Sequence, residues 1–542
     1  MGCSRLYECI AVYFSNAKKV MCLAFILGTA FAIVSTVFIT GYANDGSLYI
    51  AMVHAFVIGD WPRAFLDNIP PLFPVVAGLV CKCGFTPWSA ATLVSGMFCV
   101  LAIFPLYGIL CFFMDKKYAA WGALFYILAP KVMRWGFAPL TDGFRLFFFI
   151  LPVYFLFSFH RNKKISSLVW LGISLALLAL ARGEGILLAP VILFALMLLC
   201  FKDSRYKITP VFIRKTILYC LVTLLAVLAV MSPRLAQVYQ KTGVPATDTR
   251  VADSFKRYYG KLFHSPDRQS SADADFAIYC FTNSPSAVPL KIVDHRERLS
   301  GKYVREFLQN IVRGSYEIYF VLFVLGIILL LTGRQWTLEY GILIFFAAIN
   351  AAMFYFFSIP YRYFIVNVML LMPFTMLGYQ QVLAWTEKLK AAKLLAAAVF
   401  ILAIIQAVNG LDNSIDRSKI YWQKTGQLLK QMELKNTGGS GNFKTVYILG
   451  ADCGTNLFND FNIINPNRVG IVLSIEDARK GFSGSLCLSV PQKMSDDKIL
   501  TPDFIIIDSD HHHEVAKLRN TPGIREIVTE WSKKVVLFES LK

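Results

Sequence analysis

The segment that decides the fold runs from Thr141 to Cys200 and reads TDGFRLFFFILPVYFLFSFHRNKKISSLVWLGISLALLALARGEGILLAPVILFALMLLC. Three apolar runs follow one another here, at 143–159, 165–182 and 184–201, with only short polar breaks between them. Each run has about the 17–25 residues that a helix needs to cross the hydrocarbon core of a bilayer. The segment therefore predicts consecutive membrane-spanning helices joined by tight loops.

Most of the chain repeats this pattern. Further apolar runs lie at 20–40, 87–114, 118–130, 216–236, 315–333, 337–357, 363–383 and 394–409. A shorter run, Leu72–Cys83, is too short to cross and is expected to be re-entrant or interfacial. We therefore predict an all-α polytopic membrane domain of about eleven transmembrane helices.

The composition supports a membrane protein and excludes several other classes. Of the 542 residues, 56% are hydrophobic and only 16% are charged, whereas soluble chains carry about 25% charged residues. A mean hydropathy of +0.54 over this length excludes an ordinary soluble enzyme, a disordered chain and a fibrous repeat. The net charge of +19 is carried almost entirely by the membrane part. No soluble module has a basic patch, so nucleic acid is not an expected partner.

Basic residues in the short loops predict the orientation, because such residues favour the cytoplasmic side. One set of loops is rich in them, and the opposite short segments are sparse in them. The rich set holds Lys18, Lys19, Lys116, Lys117, Arg161, Lys163, Lys164, Lys202, Arg205, Lys207, Arg214, Lys215, Arg334, Lys388, Lys390 and Lys393. We therefore expect a multi-pass protein of the bacterial inner (plasma) membrane. Its N-terminus is then cytoplasmic and its C-terminal region extracytoplasmic.

The last part of the chain changes character. Its apolar runs shrink to strand length at Thr445–Leu449, Val469–Leu473, Phe504–Ile507 and Lys534–Phe538, with helical patterns between them. This alternation predicts a small extracytoplasmic α/β domain. The predicted organisation is a transmembrane domain at 1–410, with outer loops at 41–86 and 237–314, followed by a soluble domain at 411–542. Spacing alone leaves open whether Cys453 and Cys487 form a disulfide.

Several ionisable residues lie at the outer ends of the predicted spans. Asp45 directly follows the first span, where a carboxylate could accept a proton from a hydroxyl or cap a helix. Asp60 and Trp61 follow in the same outer loop. Asp142 and Arg145, three residues apart at the start of the fourth span, share a helix face. Alternatively, Asp142 could lie there simply because the positive end of the helix dipole favours an acidic side chain.

Three more such residues lie further along the chain. Arg182 and Glu184 join two spans at the outer surface, and ionisable groups at a membrane boundary suggest function. A mutual surface ion pair is an equally good interpretation of them. Arg362 opens the tenth span, where its planar donors could grip a phosphate or anchor the helix at the interface.

These features, in this order, resemble the GT-C superfamily of polytopic glycosyltransferases. The resemblance is to the branch with the protein O-mannosyltransferases, the aminoarabinose transferases and Rgt-type enzymes. It covers roughly residues 20–385. The residues that carry it are Asn44-Asp45, Gly59-Asp60-Trp61, Pro70-Pro71-Leu72-Phe73-Pro74, Leu140-Thr141-Asp142, Arg182-Gly183-Glu184-Gly185 and Arg362-Tyr363.

The resemblance implies catalytic roles for Asp45 and Asp142 and donor lipid-phosphate binding by Arg362, Arg182 and Arg145. It further implies a substrate loop that includes Asp60 and Trp61, and Glu184 belongs to the same substrate-binding set. The expected reaction moves a sugar from a polyprenyl-phosphate donor to a hydroxyl on a glycan, lipid or protein acceptor. Asp45 would act as base in a single inverting displacement.

Related proteins often carry a second acid beside the first. Here the neighbours of Asp45 are Asn44 and Gly46, which weakens the case for a metal site. No metal ligand is therefore assigned and no cofactor is certain, although a divalent cation stays an open alternative. The sugar, the acceptor and the oligomeric state are not determined by the sequence.

The rival interpretation is a polytopic lipid or solute transporter or flippase without transferase activity. Such a protein would carry ionisable residues at the bilayer midplane and repeat symmetry with broken helices. The sequence displays neither feature. A third interpretation is a purely structural assembly subunit, in which Asp45 and Asp142 would have no chemical role.

Overall fold

The computed structural model describes most of the membrane part and the strands of the C-terminal part. The described residues are 16–38, 44–66, 69–183, 185–242, 301–315, 317–357, 361–388, 401–409, 446–449, 469–471, 486–487, 504–508, 519, 524–527 and 535–540.

The described residues of the membrane part are mostly helical. Its helices are α1 (Ala17–Phe38), α2 (Asn44–Ile58), α3 (Trp61–Ala64), α4 (Leu72–Lys82), α5 (Pro87–Leu101), α6 (Ile103–Phe113), α7 (Lys116–Leu128), α8 (Pro130–Gly136), α9 (Thr141–Asn162), α10 (Ile165–Ala181), α11 (Gly185–Asp203), α12 (Pro210–Thr242), α13 (Gly301–Ser315), α14 (Glu317–Thr332), α15 (Leu338–Phe357), a 3-10 helix (Tyr361–Phe364) and α16 (Ile365–Lys388).

Six helices in the described residues are long and apolar enough to cross a membrane. They are Ala17–Val37, Pro87–Phe113, Thr141–Asn162, Gly185–Asp203, Pro210–Gln240 and Arg362–Trp385. The bent pair Val304–Gly314 and Tyr319–Thr332 would add a seventh, and Ile165–Ala181 and Leu338–Met353 are shorter apolar helices. These helices confirm an all-α polytopic membrane domain.

The total of eleven spans stays a prediction. The predicted span at 118–130 coincides with α7, which has 13 residues and is about 20 Å long at 1.5 Å per residue. It ends where Pro130 starts α8. The predicted span at 394–409 lies only partly within the described residues, which resume at 401.

The helical core is formed by closely packed neighbouring helices. Helix α9 packs against α10, and α10 packs against α12. The turn between α9 and α10 is tight because Lys163 adopts a left-handed conformation with φ 54°. This hairpin brings the first turn of α9 and the last turn of α10 to the same end of the bundle.

Two glycines let α14 and α16 approach each other closely. A Cβ at Gly326 would collide with the carbonyl oxygen of Phe374, and one at Gly378 would collide with that of Leu322. The contacts are reciprocal. Gly326 lies one helical turn after Leu322 on α14, and Gly378 lies one helical turn after Phe374 on α16. Only a residue without a side chain fits at either position.

The chain divides into two compact units, each made of three segments, and one of the boundaries falls inside α2, between Ala51 and Met52. The unit with the C-terminal residues contains a six-stranded mixed sheet. Its strands are β1 (Val446–Leu449), β2 (Val469–Ile471), β3 (Leu486–Cys487), β4 (Phe504–Asp508), β5 (Ile524–Ile527) and β6 (Val535–Ser540).

The strand order is β3-β2-β1-β4-β6-β5. Strand β1 pairs in parallel with β2 and β4, and the outer pairs are antiparallel. The four predicted strands coincide with β1, β2, β4 and β6. The helices predicted at Ser414–Met432 and His512–Leu518 lie outside the described residues, so the α/β class of this domain stays a prediction.

Replacing Gly326 with alanine is expected to destabilise the membrane domain. The new methyl group must push α14 and α16 apart, and overpacking of this kind costs about 1–3 kcal/mol. Thermal unfolding of the purified protein in detergent should therefore begin at a lower temperature. Gly341→Ala on α15 is the matched control, because the nearest atom to its Cβ, the Trp336 Nε1, is 3.8 Å away. Equal melting temperatures for both variants would contradict the close-packing account.

Candidate active site

An ion pair joins the two helix ends at the α9–α10 hairpin. Asp142 lies in the first turn of α9, and Arg182 directly follows α10. The Arg182 Nη1 donates to the Asp142 Oδ1 at 3.0 Å and to the Thr141 Oγ1 at 3.4 Å. Only 7% of the Asp142 side chain and 11% of the Arg182 side chain are exposed. The helix dipoles favour both charges, because an acid sits at a helix N-terminus and a cation at a helix C-terminus.

Tyr363 brings three predicted site arginines together. The Arg182 guanidinium carbon lies 5.3 Å from the centre of the tyrosine ring, and that of Arg362 lies 5.1 Å from it. The Arg362 Nη2 also donates to the Tyr363 hydroxyl at 3.2 Å. The Arg145 Nη1 donates to the Tyr363 carbonyl oxygen at 3.3 Å. Arg182 and Arg362 therefore meet at the Tyr363 ring, and Arg145, 218 positions earlier in the sequence, reaches the backbone carbonyl of the same residue.

Arg145 lies inside the bundle, and only 2% of it is exposed. Its Nη2 donates to the Asn350 Oδ1 at 2.9 Å. The Asn350 Nδ2 in turn donates to the Asn367 Oδ1 at 3.1 Å. This buried polar chain ties α9 to α15 and α16, and it supports the backbone that carries Arg362 and Tyr363. A direct contact of Arg145 with a phosphate stays a prediction.

The short helix α8 contributes a second aromatic surface. The ring centre of Trp135 lies 5.0 Å from the guanidinium carbon of its neighbour Arg134 and 5.7 Å from that of Arg362. Burial lowers the pKa of Lys131 on the same helix, and the positive charges of Arg134 and Arg313 lower it further. Basic side chains thus gather on α8 beside the tyrosine-centred group.

Sequence reasoning missed Trp135, Tyr363 and Asn350 as organising residues. The Tyr363 signal was present in the Arg362-Tyr363 pair, but a tyrosine near a membrane boundary is also typical of an interfacial anchor. Asn350 could have been found as an amide within an apolar run, because polar side chains within spans usually have a specific partner. Nothing in the sequence joins Trp135 to Arg362.

The predicted substrate loop is held by aromatic contacts. Asp60 lies between α2 and α3, Trp61 is the first residue of α3, and the Asp60 carbonyl oxygen accepts from the Ala64 N–H at 2.9 Å. The Trp61 ring stacks on Phe65 at 5.9 Å and meets the edge of Phe56 at 5.5 Å. Even so, 52% of Trp61 is exposed. The loop therefore presents an ordered aromatic surface.

Some predicted site residues fall outside what the structure describes. Asp45 lies in the first turn of α2, but its side chain is not among the described ones. Glu184 is itself outside the described residues, as are Cys453 and the long segment 243–300. The catalytic role of Asp45, the substrate contact of Glu184 and the Cys453–Cys487 disulfide therefore stay predictions.

The described residues do not fit a metal centre. They contain no group of three or more His, Cys, Asp and Glu side chains that could hold an ion. Asp142, the acid of the described cluster, is engaged by Arg182.

Comparison with known proteins supports this architecture. The family model of the dolichyl-phosphate-mannose-protein mannosyltransferases matches residues 68–236, a segment that contains Asp142, Arg145 and Arg182. The sequence matches no curated protein.

Two solved membrane proteins share the fold. The apo crystal structure of ArnT from Cupriavidus metallidurans matches with a TM-score of 0.53 at 13% identity, over 95% of this chain and 97% of that one. The undecaprenyl phosphate complex of the same protein also gives 0.53, at 12% identity. The apo oligosaccharyltransferase of Archaeoglobus fulgidus gives 0.52 at 13% identity, over 83% of this chain.

The chain is therefore a polytopic helical membrane protein of the GT-C fold. The family-model match and these structures confirm the resemblance to the GT-C glycosyltransferases. The chain spans 97% of the length of ArnT but only 64% of that of the archaeal oligosaccharyltransferase.

The Asp142–Arg182 pair is expected to be strongly coupled in stability. Removing one partner of a buried ion pair leaves the other charge buried, which costs about 3–5 kcal/mol. Asp142→Asn and Arg182→Gln should each lower the free energy of unfolding. The double variant should lose less than the sum of the two, by about 0.5–3 kcal/mol. Denaturant titration of the protein in detergent micelles measures the free energy of unfolding of the wild type, the two single variants and the double variant.

The exposed pair Lys163–Asp203 is the control for that cycle. Its side chains are 45% and 38% exposed, and exposed pairs contribute only about 0–1 kcal/mol. Lys163→Gln and Asp203→Asn should therefore be nearly additive. Additivity in both cycles would mean that Asp142 and Arg182 are not coupled in the folded protein.

Proposed function

We propose that this protein is a membrane glycosyltransferase that moves a sugar from a polyprenyl-phosphate donor to a hydroxyl acceptor on the extracytoplasmic face. The observation that carries the proposal is the placement of Arg182 and Arg362 at the Tyr363 ring, with Asp142 paired to Arg182, within a GT-C fold. ArnT, which has the same fold, has been crystallised with undecaprenyl phosphate. A lipid phosphate is the ligand that such a group of arginines suits.

Arg182 and Arg362, the two arginines at the Tyr363 ring, are proposed to hold the donor phosphate. A guanidinium presents planar paired donors that match phosphate oxygens, and it stacks well on aromatic faces. The Tyr363 ring and the Asp142 carboxylate restrict how Arg182 can turn. A preoriented cation stabilises charge on the leaving phosphate without reorganising during the reaction. Asp142 thus contributes to catalysis by orienting Arg182.

The proposed chemical step is a single displacement. The acceptor oxygen forms a bond to the anomeric carbon while its proton passes to the Asp45 carboxylate. The bond from the anomeric carbon to the phosphate oxygen breaks, and the polyprenyl phosphate leaves with the electron pair. The configuration at the anomeric carbon inverts, because the acceptor attacks opposite the leaving group.

The proposed location follows from the charge of the loops and from donor chemistry. The basic short loops favour a cytoplasmic N-terminus and an extracytoplasmic C-terminal domain in a bacterial inner membrane. Nucleotide sugars are cytoplasmic, so a site on the outer face requires a donor carried by a lipid. The acceptor is a glycan, lipid or protein hydroxyl that reaches this face.

Asp45→Asn is expected to abolish transfer while the protein still inserts and folds. The amide cannot take the acceptor proton, and loss of a general base lowers rates by about 10²–10⁴-fold. The measurement is the consumption of labelled polyprenyl-phosphate sugar by the purified variant. Asp115→Asn is the control, since Asp115 is an exposed residue at the start of α7. Wild-type consumption by the Asp45 variant would remove Asp45 from the mechanism.

Arg362→Ala is expected to weaken donor binding more than acceptor binding. The variant loses a cation proposed to contact the phosphate, and a hydrogen bond to a charged group is worth about 1.5–3 kcal/mol. The KM for the donor should therefore rise by about tenfold or more, since 1.4 kcal/mol is a factor of ten. The KM for the acceptor should stay close to the wild-type value. An equal rise in both constants would argue against a phosphate role for Arg362.

A further inference from the structure

A buried arginine outside the described site holds the backbone of the substrate loop. Arg234 lies on α12, directly after Pro233, and is only 5% exposed. Its Nη2 donates to the carbonyl oxygens of Leu66 at 2.7 Å and Ile69 at 3.2 Å. Its Nη1 donates to the Gln237 Oε1 at 2.9 Å. Burying a guanidinium is costly unless it is hydrogen-bonded, so these contacts account for its position.

The two carbonyls belong to the turn that ends the substrate loop. The Ile69 N–H donates to the Leu66 carbonyl oxygen at 3.4 Å, which closes the turn. Pro70 and Pro71 follow and provide no N–H groups. Buried carbonyls in this stretch therefore need donors from elsewhere in the protein. Arg234 provides them from a helix more than 160 residues away in sequence.

The turn held by Arg234 is connected through two phenylalanine rings to the first turn of α9, which carries Asp142. Helix α4 begins just after the two prolines, and Phe73 in its first turn is fully buried. The Phe73 ring meets the edge of Phe144 at 5.4 Å. Phe144 lies two residues after Asp142 in the first turn of α9. The position of the turn is thus set relative to Asp142 by one arginine clamp and one aromatic contact.

We propose that Arg234 is a positioning residue that fixes the substrate loop, including Asp60 and Trp61, for acceptor binding. The inference rests on the proposed glycosyltransferase function and deepens it. Arg234 touches no reacting atom and acts through the Leu66 and Ile69 carbonyls. Its two described backbone partners belong to the substrate loop, whereas the proposed donor arginines lie at Tyr363. Loosening the clamp should therefore affect the acceptor more than the donor.

The test compares Arg234→Gln and Arg234→Lys with the wild-type protein. Glutamine cannot bridge both carbonyls, whereas lysine keeps a cation that can reach one of them. Arg214→Gln, an exposed arginine at the other end of the same helix, is the control. Amide hydrogen exchange in detergent over peptides covering Leu66 to Phe73 reports on the clamp. Transfer from labelled undecaprenyl-phosphate hexose, with titrated bacterial membrane extract as acceptor, reports on function.

Arg234→Gln should speed exchange in this segment and raise the half-saturating amount of extract by up to about 100-fold, the loss that a misplacement of about 1 Å can cause. The donor KM should change less than twofold. Arg234→Lys should restore part of both losses, and it replaces the glutamine variant in the test if that variant does not fold.

Unchanged exchange would overturn the clamp. Faster exchange with unchanged transfer would overturn the positioning role while leaving the glycosyltransferase proposal intact. If exchange is altered in the variant but the wild-type protein transfers no sugar, the proposed function is overturned. The positioning role, which rests on that function, is then overturned as well.

Discussion

The ion pair between Asp142 and Arg182 is the interaction on which the rest of the site depends. Both charges are nearly buried at the junction of two apolar helices, where an unpaired charge would be prohibitively costly. The two charges can be buried only because the α9–α10 hairpin brings Asp142 and Arg182 together. The tight turn at Lys163, at the opposite end of the two helices, lets them run side by side so that Asp142 and Arg182 meet.

That unit also organises segments that are distant in sequence. Tyr363 contacts Arg182 with its ring and receives a hydrogen bond from Arg145 on its carbonyl oxygen. Arg145 continues the connection to Asn350 on α15. Helices α9, α10, α15 and α16 thus share one polar centre in an otherwise apolar bundle. Rearranging any of them would expose a charge to a medium of low dielectric.

The sequence predicted the parts that depend on local pattern. Runs of apolar residues gave the helices, and breaks in those runs identified Asp142 and Arg182 as candidates. The parts that depend on contacts between distant segments could not be predicted. Trp135 and Tyr363 resemble interfacial aromatic residues, and their contacts with arginines appear only in three dimensions. Arg234 resembles a basic residue at the end of a span, and its carbonyl partners lie more than 160 residues earlier.

The most direct test of the central claim is to incubate the purified wild-type protein with labelled polyprenyl-phosphate sugars in bacterial membrane lipids. The account predicts that one of these donors is consumed, that free polyprenyl phosphate appears, and that the sugar becomes attached to another molecule with inverted anomeric configuration. Donors that cross the bilayer intact, with no sugar transferred from any of them, would contradict the enzyme and favour a transporter.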